Sequence, residues 1–238
     1  MAYAIHAIVN NLSDFRNLDF LVPDPYPDDF RLPKTLVFHD NLNECTAAAV
    51  YLNDRLPKSL RSKGLVKHYH GGMSKEYLTI VYDDFQKPDG ACRILHATEG
   101  ASTVILSFFN YAHAFLTPGN KGLDVSDIEV VIQYGITRDV PTTLQRGGRG
   151  GRSKSSQAIF LIMYEPWVMN IDLSATKSTF TDPDHPNVEK LGKNSTKQAR
   201  TGIAMIKIVQ SVDYCIRGMY ADYLGDKTVD GTCHWPTF

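Results

Sequence analysis

An unbroken apolar run from Ala158 to Tyr164 places the strongest limit on how this chain can fold. The run is short and contains β-branched and aromatic residues, so it predicts a strand rather than a helix. Because no polar residue alternates with the apolar ones, the strand is expected to be buried on both faces. Strands of this kind belong to parallel sheets that are covered by helices on either side.

Similar segments alternate with stretches of helical spacing along the chain. Strands are predicted at Lys34–Phe38, Leu65–His70, Arg93–Ala97, Ile128–Ile132 and Ala158–Tyr164. Helices are predicted over Glu44–Leu56, with Asn43 as N-cap, and over Ser74–Phe85, which Ser74 itself can cap. This alternation indicates an α/β fold with a parallel sheet over about residues 34–167.

The two ends of the chain show weaker patterns. Residues 1–33 are polar and include a Pro/Asp cluster at Pro23–Asp29, so we expect a linker or the remnant of a preceding domain, without a core of its own. Residues 168–238 are expected to begin as an irregular connection. Helical spacing returns from about Gln198 to Leu224, and Gly225 is a typical helix end.

Composition excludes several classes of protein. With 43% hydrophobic and 21% charged residues and a net charge of −1, the 238-residue chain is expected to be globular and is not a polycation. No run of about 18 apolar residues predicts a membrane span, and the N-terminus does not resemble a secretory signal. Cys45 and Cys92 are expected to be inert core thiols.

Three arginines spaced three residues apart dominate the segment Gln145–Arg152, which reads Gln-Arg-Gly-Gly-Arg-Gly-Gly-Arg. Between Arg138 and Lys154 the chain carries five basic side chains and one acidic side chain. Guanidinium groups offer paired donors to oxyanions, so this charge suits a phosphate-bearing ligand. A disordered Arg-Gly box is one interpretation, but such boxes are usually longer and lie outside folded sequence. A packed arginine motif between a helix starting near Pro141 and the strand at Ala158 is the favoured interpretation.

Four stretches together carry a family resemblance: Lys34–Phe38, His70–Met73, Ala97–Glu99 and Gln145–Arg152. They resemble the second RecA-like lobe of superfamily 2 helicases, a P-loop NTPase-like fold, and within that group most closely the RecQ family. Gln145 favours RecQ, because DEAD-box RNA helicases commonly have His there. The segment Cys215–Asp226 is similar to the beginning of the RecQ zinc-binding helices. An RNA helicase lobe is therefore the less favoured relative.

The resemblance implies two sets of functional residues. Arg149 and Arg152 would reach the phosphates of ATP bound on the other lobe, one of them as an arginine finger. The same ATP site would include Gln145, which senses the nucleotide, together with Gly122 and Asp124 near the ribose. For DNA, the implied contacts follow two strands: His39, Asp40 and Asn41 along the single-stranded track, and Thr98 with Glu99 at a phosphate.

The resemblance further implies a 3′–5′ DNA helicase that uses ATP and Mg²⁺, located in the nucleus. Its partners would be single-stranded or partly duplex DNA and an N-terminal RecA-like lobe. The sequence contains neither a Gly-x-x-x-x-Gly-Lys-[Ser/Thr] phosphate loop nor an Asp-Glu-x-His box. We therefore expect this chain alone not to hydrolyse ATP. A non-catalytic nucleic-acid-binding remnant or Arg-Gly module is the alternative.

Two further departures from the RecQ pattern affect the expected sites. The 18 residues Val104–Lys121 separate Thr103 from Gly122, where the family has almost no gap. Every Val codon begins with GT and one Lys codon ends with AG, so this block is compatible with an in-frame retained intron, and a lineage-specific loop is the alternative. Cys215 resembles the first zinc ligand, but no Cys-x-x-Cys pair follows it, and zinc binding is therefore not expected.

Overall fold

The structure is a computed structural model that describes residues 1–98, 125, 127–152, 157–175, 182–188, 190–211 and 213–228. Within them, one sheet holds six strands: β1 Ala2–Ala7, β2 Thr35–His39, β3 Val66–Tyr69, β4 Ile94–Thr98, β5 Val130–Tyr134 and β6 Ile159–Tyr164. Their order is β1-β6-β5-β2-β4-β3. Every pair of neighbours is parallel, so the predicted α/β class is confirmed.

Six α-helices accompany the described strands: α1 Leu42–Arg55, α2 Lys75–Gln86, α3 Val140–Gly147, α4 Lys197–Arg200, α5 Ile203–Gln210 and α6 Ile216–Leu224. Short 3-10 helices cover Phe15–Leu21, Arg61–Lys63, Pro166–Asn170 and Leu173–Ala175. In the described part of the chain, no helix has the length and apolarity that crossing a membrane requires.

Side-chain caps explain where the main helices begin. Asn41 Oδ1 accepts hydrogen bonds from Asn43 N at 2.8 Å and Glu44 N at 3.3 Å, so Asn41 is the cap of α1 and the prediction of Asn43 is wrong. The cap of α2 is Ser74, as predicted, because Ser74 Oγ accepts from Tyr77 N. Asp139 Oδ1 accepts from Thr142 N at 2.8 Å and starts α3 directly before Pro141.

Apolar side chains cover the sheet on both faces. On one face, Ala48, Ala49 and Leu52 of α1 pack with Val37, Ile94 and Ile132 of the central strands. On the other, the core includes side chains of α2, α3, α5 and α6, among them Phe85, Val140, Ile206 and Tyr220. The central strands are buried on both sides, which agrees with the uninterrupted apolar runs in the sequence.

The expectation that residues 1–33 contribute no core is wrong. Strand β1 pairs in register with β6 from Ala2↔Ile159 to Ala7↔Tyr164, and Ile8, Leu18 and Leu21 are at most 1% exposed. Only two large apolar residues occur in Ala-Tyr-Ala-Ile-His-Ala, so its sequence shows little strand periodicity. This segment forms a strand because it pairs with the edge of β6, whose backbone N–H and C=O groups would otherwise lack strand partners.

The helical spacing predicted over Gln198–Leu224 corresponds to three short helices rather than one. Gly202 lies between α4 and α5, and a Cβ there would come within 2.9 Å of the Asp184 carbonyl oxygen. Gly202 N also donates to Arg138 O at 2.7 Å. These contacts hold the segment of α4 and α5 against the loop that leads into α3. The predicted block at 104–121 lies outside the described residues.

Candidate phosphate-binding cleft

A cleft of ≈ 990 Å³ opens where β2 and β4 end and α3 begins. Ligands of parallel α/β sheets commonly bind at this carboxyl edge. The cleft is lined by Leu12, Asp40, Asn41, Leu42, Glu44, Thr98, Arg138, Asp139, Thr142, Arg146, Lys197 and Arg200. Among these lining residues four are basic and three are acidic, so the cleft carries an excess of positive charge.

The structure brings together three of the residues implied for DNA contact. Asp40 and Asn41 follow β2 directly, and Thr98 ends β4. The register of these strands pairs His39 with Thr98, which places Thr98 beside the start of the Asp40–Asn41 turn. The carboxyl ends of the two strands therefore present a carboxylate, an amide and a hydroxyl to one cleft.

His39 does not take the implied place along this cleft. Its side chain is fully buried, with Nε2 2.9 Å from His96 Nδ1 and the ring 5.4 Å from that of Tyr134. Contact between the His39 ring and a nucleic acid is incompatible with this burial. The alternation of side chains along β2 turns His39 into the layer that also holds Val37. Glu99, also implied for DNA contact, lies outside the described residues.

Burial keeps the two histidines neutral. Desolvation lowers the pKa of His39 to about 3, and the nearby Arg146 lowers it further while Asp40 opposes the shift. Desolvation also places the pKa of His96 well below its usual value. One ring donates to the other, so the pair links β2 to β4 directly beneath the turn that carries Asp40.

Arg146 is the motif arginine that lines the cleft, and its side chain is 5% exposed. Its Nη1 donates to Asp40 Oδ1 at 2.7 Å and to Gln133 Oε1 at 2.6 Å. The guanidinium also lies 5.4 Å from the centre of the Phe38 ring. These contacts hold the Asp40 carboxylate in place, and Arg146 forms part of the floor of the cleft. Sequence reasoning named Gln145, Arg149 and Arg152 instead, because the spacing alone does not show which arginine turns inward.

Lys197 reaches the same carboxylate from the C-terminal part of the chain. Its Nζ lies 3.2 Å from Asp40 Oδ2 and 2.9 Å from Glu165 Oε1. Burial by itself would lower the pKa of Lys197, but the two carboxylates outweigh burial and raise it. Glu165 Oε2 in turn accepts from Ile136 N at 2.8 Å, in the loop after β5. Lys197 therefore ties together the segments that follow β2, β5 and β6.

Two other basic side chains line the cleft. Arg138 is exposed and precedes the cap of α3. Arg200 is half-buried and donates to the carbonyl oxygens of Ser195 and Lys193 at 2.9 and 3.1 Å. Sequence reasoning counted Arg138 only as part of the local positive charge and assigned no role to Lys197 or Arg200. The excess of basic residues around Arg138 could have indicated its place in the cleft. Lys197 and Arg200 could not have been found in this way, because their segment contains no recognisable motif.

The remaining arginines of the motif lie beyond the C-terminal end of α3. Gln145 and Arg152 are exposed and Arg149 is half-buried, and none of the three is among the cleft-lining residues. A Cβ on Gly147 would lie 2.7 Å from the Phe160 ring, and one on Gly150 would lie 2.9 Å from Val131. The glycines thus allow the motif to pack against the sheet, which does not fit a disordered Arg-Gly box.

Residues 30–154 match the family model described as the helicase conserved C-terminal domain. The chain belongs to this family. This parallel sheet, with the arginine motif between α3 and β6, is thus the C-terminal lobe of a superfamily 2 helicase. Within this lobe the cleft at the strand ends and the arginines after α3 are separate candidate sites.

Curated relatives of this helicase lobe are named as RNA helicases. It is 24% identical to nucleolar RNA helicase 2-A of Xenopus laevis over 170 residues, which is 70% of this chain and 19% of that protein. It is 27% identical to DEAD-box ATP-dependent RNA helicase 25 of Arabidopsis thaliana over 133 residues, 54% of this chain and 20% of that protein. The chain thus spans about a fifth of the length of these relatives.

Solved helicase structures are similar at lower identity. The E. coli DEAD-box protein SrmB, bound to regulator of ribonuclease activity A, has a TM-score of 0.49 and 16% identity, over 69% of this chain and 78% of that chain. Helicase Lhr of Mycobacterium smegmatis, bound to ssDNA and AMP-PNP, has a TM-score of 0.48 and 18% identity, over 69% of this chain and 19% of that chain.

Several expected residues of the helicase lobe remain predictions. Gly122 and Asp124, implied for the nucleotide ribose, lie outside the described residues. Cys215, implied as a zinc ligand, directly precedes α6. No group of three or more His, Cys, Asp or Glu side chains that could hold a metal occurs among the residues that the structure describes. Cys45 and Cys92 are buried thiols, and burial raises the pKa of each to about 12, which confirms the prediction of inert core thiols.

Proposed function

We propose that this chain is the second motor lobe of an ATP-dependent helicase and that its cleft holds the phosphate backbone of one nucleic-acid strand. The observation that carries the proposal is the convergence of Thr98, Arg138 and Arg200 on one cleft at the carboxyl ends of the strands. A hydroxyl and several cations suit phosphate oxygens, which position a strand without reading its bases. Asn41, exposed at the start of α1, adds an amide donor to the same surface.

Nucleotide chemistry is assigned to the other site. Arg149 and Arg152 follow α3 and are not among the residues that line the cleft, so we assign them to ATP that a first lobe would bind together with Mg²⁺. ATP hydrolysis supplies the free energy for stepping, and an arginine finger stabilises the charge that develops on the phosphoryl group. We assign the response to the nucleotide to Gln145, which is exposed one turn earlier on α3.

We further propose a RecQ-type 3′–5′ DNA helicase acting in the nucleus. Gln145 supports DNA, because DEAD-box RNA helicases commonly carry His at that position. RNA is the second candidate substrate, and it is supported by the relatives from Xenopus laevis and Arabidopsis thaliana, which are named RNA helicases. Binding of the purified chain to labelled oligo-dT and oligo-U under the same conditions compares the two, and tighter binding of oligo-U would overturn the DNA assignment.

The experiment that tests the cleft is a fluorescence-anisotropy titration of oligo-dT with the wild-type chain, an Arg138→Ala variant and an Arg31→Ala control. Arg31 is exposed and does not line the cleft. Loss of one charge-assisted contact is expected to weaken binding by about tenfold for Arg138→Ala and to make the salt dependence less steep. Equal affinities for the three proteins would overturn the proposed cleft.

A non-catalytic nucleic-acid-binding module is the alternative for the whole protein. Both proposals expect the cleft to bind nucleic acid, so affinity does not separate them. The effect of Arg149→Ala and Arg152→Ala on ATPase activity separates them, because a module without a motor has no ATPase activity to lose. That comparison requires the lobe joined to a phosphate-loop lobe.

A further inference from the structure

We propose that Lys197 is a positioning residue of the cleft, which neutralises Asp40 and Glu165 so that the cleft accepts a phosphate backbone. Lys197 lies outside residues 30–154, the part of the chain that matches the family model. The inference rests on the proposed function, because it concerns the same cleft. The inference gives Lys197, a residue of the C-terminal segment, a role in the cleft that is not assigned to any residue of the helicase motifs.

Acidic side chains are prominent in a cleft proposed to bind phosphate. Asp40, Glu44 and Asp139 line it, and Glu165 lies directly behind Lys197. A free carboxylate repels a phosphate over the distances of such a cleft. Asp139 caps α3, and Glu44 lies in the first turn of α1, where the helix N-terminus favours a negative charge. Asp40 and Glu165 are the carboxylates that require a counter-charge.

Lys197 supplies that charge to both. Its Nζ lies 3.2 Å from Asp40 Oδ2 and 2.9 Å from Glu165 Oε1, while Arg146 contacts the other Asp40 oxygen at 2.7 Å. Two of the three ammonium donors are therefore directed at carboxylates rather than into the cleft. This geometry makes Lys197 act through Asp40 and Glu165 and leaves exposed Arg138 to contact phosphate.

The backbone beneath Lys197 is shaped to admit its side chain. Gly135 follows β5 with φ +88°, a conformation that L side chains rarely adopt. A Cβ at this position would lie 2.9 Å from Lys197 Nζ and 3.1 Å from a methyl of Leu12. A residue other than glycine would both strain the turn and displace the ammonium group. The turn after β5 and the lysine thus fit each other.

Contacts on either side hold Lys197 in this position. Thr196 Oγ1 accepts from Ala199 N at 3.2 Å and starts α4, and Thr201 Oγ1 donates to Lys197 O at 2.9 Å. Gly202 N donates to Arg138 O at 2.7 Å. The segment that delivers the lysine is therefore hydrogen-bonded to the backbone of Arg138, which ties both residues to one wall of the cleft.

The test compares oligo-dT binding by four forms of the full chain: wild type, Lys197→Met, the double variant Asp40→Asn/Lys197→Met, and Lys193→Met as control. Lys193 is exposed and does not line the cleft. Lys197→Met is expected to weaken binding at low salt by about fivefold to tenfold, as one uncompensated charge near a phosphate would. The double variant is expected to bind within about threefold of wild type, because it removes the Asp40 carboxylate along with Lys197 and leaves only Glu165 without its partner.

A second variant separates charge from folding. Lys197→Gln keeps an N–H donor toward Asp40 but no charge, so we expect wild-type thermal unfolding together with the weakened binding of Lys197→Met. Wild-type affinity of Lys197→Met or Lys197→Gln would overturn the inference. A double variant that binds as weakly as Lys197→Met would also overturn it, since Lys197 would then contact phosphate itself. If the wild-type chain does not bind oligo-dT or oligo-U, the proposed function fails instead.

Discussion

Arg146 donates from Nη1 to Asp40 Oδ1 over 2.7 Å and so joins the arginine motif after β5 to the turn after β2. Asp40 lies in the turn after β2 and Arg146 lies in α3, which follows the neighbouring strand β5, yet the two residues are 106 positions apart in sequence. Through this contact the first motif arginine holds the cleft floor, while Arg149 and Arg152 lie outside the cleft lining. One short motif is therefore proposed to contribute to two sites.

The contact predicts unequal effects of arginine loss on stability. Arg146→Ala removes one partner of an ion pair in which the arginine side chain is 5% exposed, and it leaves Asp40 paired with Lys197. We expect a loss of about 3 kcal/mol in the free energy of unfolding, measured with urea. The exposed Arg152 is the matched control, and Arg152→Ala should change stability by less than about 0.5 kcal/mol. Equal stability of the two variants would contradict the structural role of Arg146.

The arginines after α3 are expected to act in ATP hydrolysis and not in nucleic-acid binding. In a protein that joins this lobe to a phosphate-loop lobe, Arg149→Ala and Arg152→Ala should reduce ATP turnover by about a thousandfold or more if either is the finger. Affinity for oligo-dT should change little, because neither lines the cleft. Loss of affinity with unchanged turnover would support the non-catalytic alternative.

The isolated chain is expected to show no nucleic-acid-stimulated ATPase activity. Its sequence has no phosphate loop to hold the nucleotide and no acidic box to hold Mg²⁺. A phosphate-release assay with and without oligo-dT measures this directly. Steady turnover that oligo-dT stimulates, and that survives further purification, would contradict the assignment of this chain as a second lobe.

The buried pair His39–His96 predicts that the lobe loses stability in mild acid. The pKa of His39 is lowered to about 3, so the folded state keeps this ring neutral while the unfolded chain takes up a proton near its usual pKa. The stabilising contribution is complete above pH 6.5 and falls as the pH drops through the range between the two pKa values. Between pH 6.5 and 5 the free energy of unfolding should fall by about 2 kcal/mol for each buried histidine.

Urea unfolding at several pH values measures that slope. The exposed His6 provides the control, because His6→Gln should leave the slope unchanged. Stability that is independent of pH between 6.5 and 5 would show that the pair is not held neutral.

Gly135 is expected to tolerate no side chain. Gly135→Ala places a Cβ at φ +88° and within 2.9 Å of Lys197 Nζ, so it should cost about 1–3 kcal/mol. Gly71 is the comparison, since a Cβ there has no neighbour within 4 Å. Gly71→Ala should be close to neutral in the same thermal unfolding experiment, and an equally neutral Gly135→Ala would contradict the close fit with Lys197.

Local pattern was sufficient for the central sheet and its main helices. The strands at β2, β4, β5 and β6 agree with their predictions to within two residues, because each is an apolar run that must be buried wherever the chain folds. The placement of Asp40, Asn41 and Thr98 at one edge followed from the parallel order of those strands. The packed arginine motif was also evident, since its glycines stand between two ordered segments.

Sequence by itself thus determined the α/β class, the carboxyl edge that carries the cleft, and the residue types suited to phosphate. Tertiary structure decided the rest: the pairing of β1 as a strand, the burial of His39, and the contacts of Arg146 and Lys197 with Asp40 in the cleft. Each of these depends on a partner far away in sequence, such as the edge of β6 for β1 or Asp40 for Lys197. Residue pattern reports what a segment prefers, whereas a buried charge or an edge strand is stabilised only by the partner that the fold brings to it.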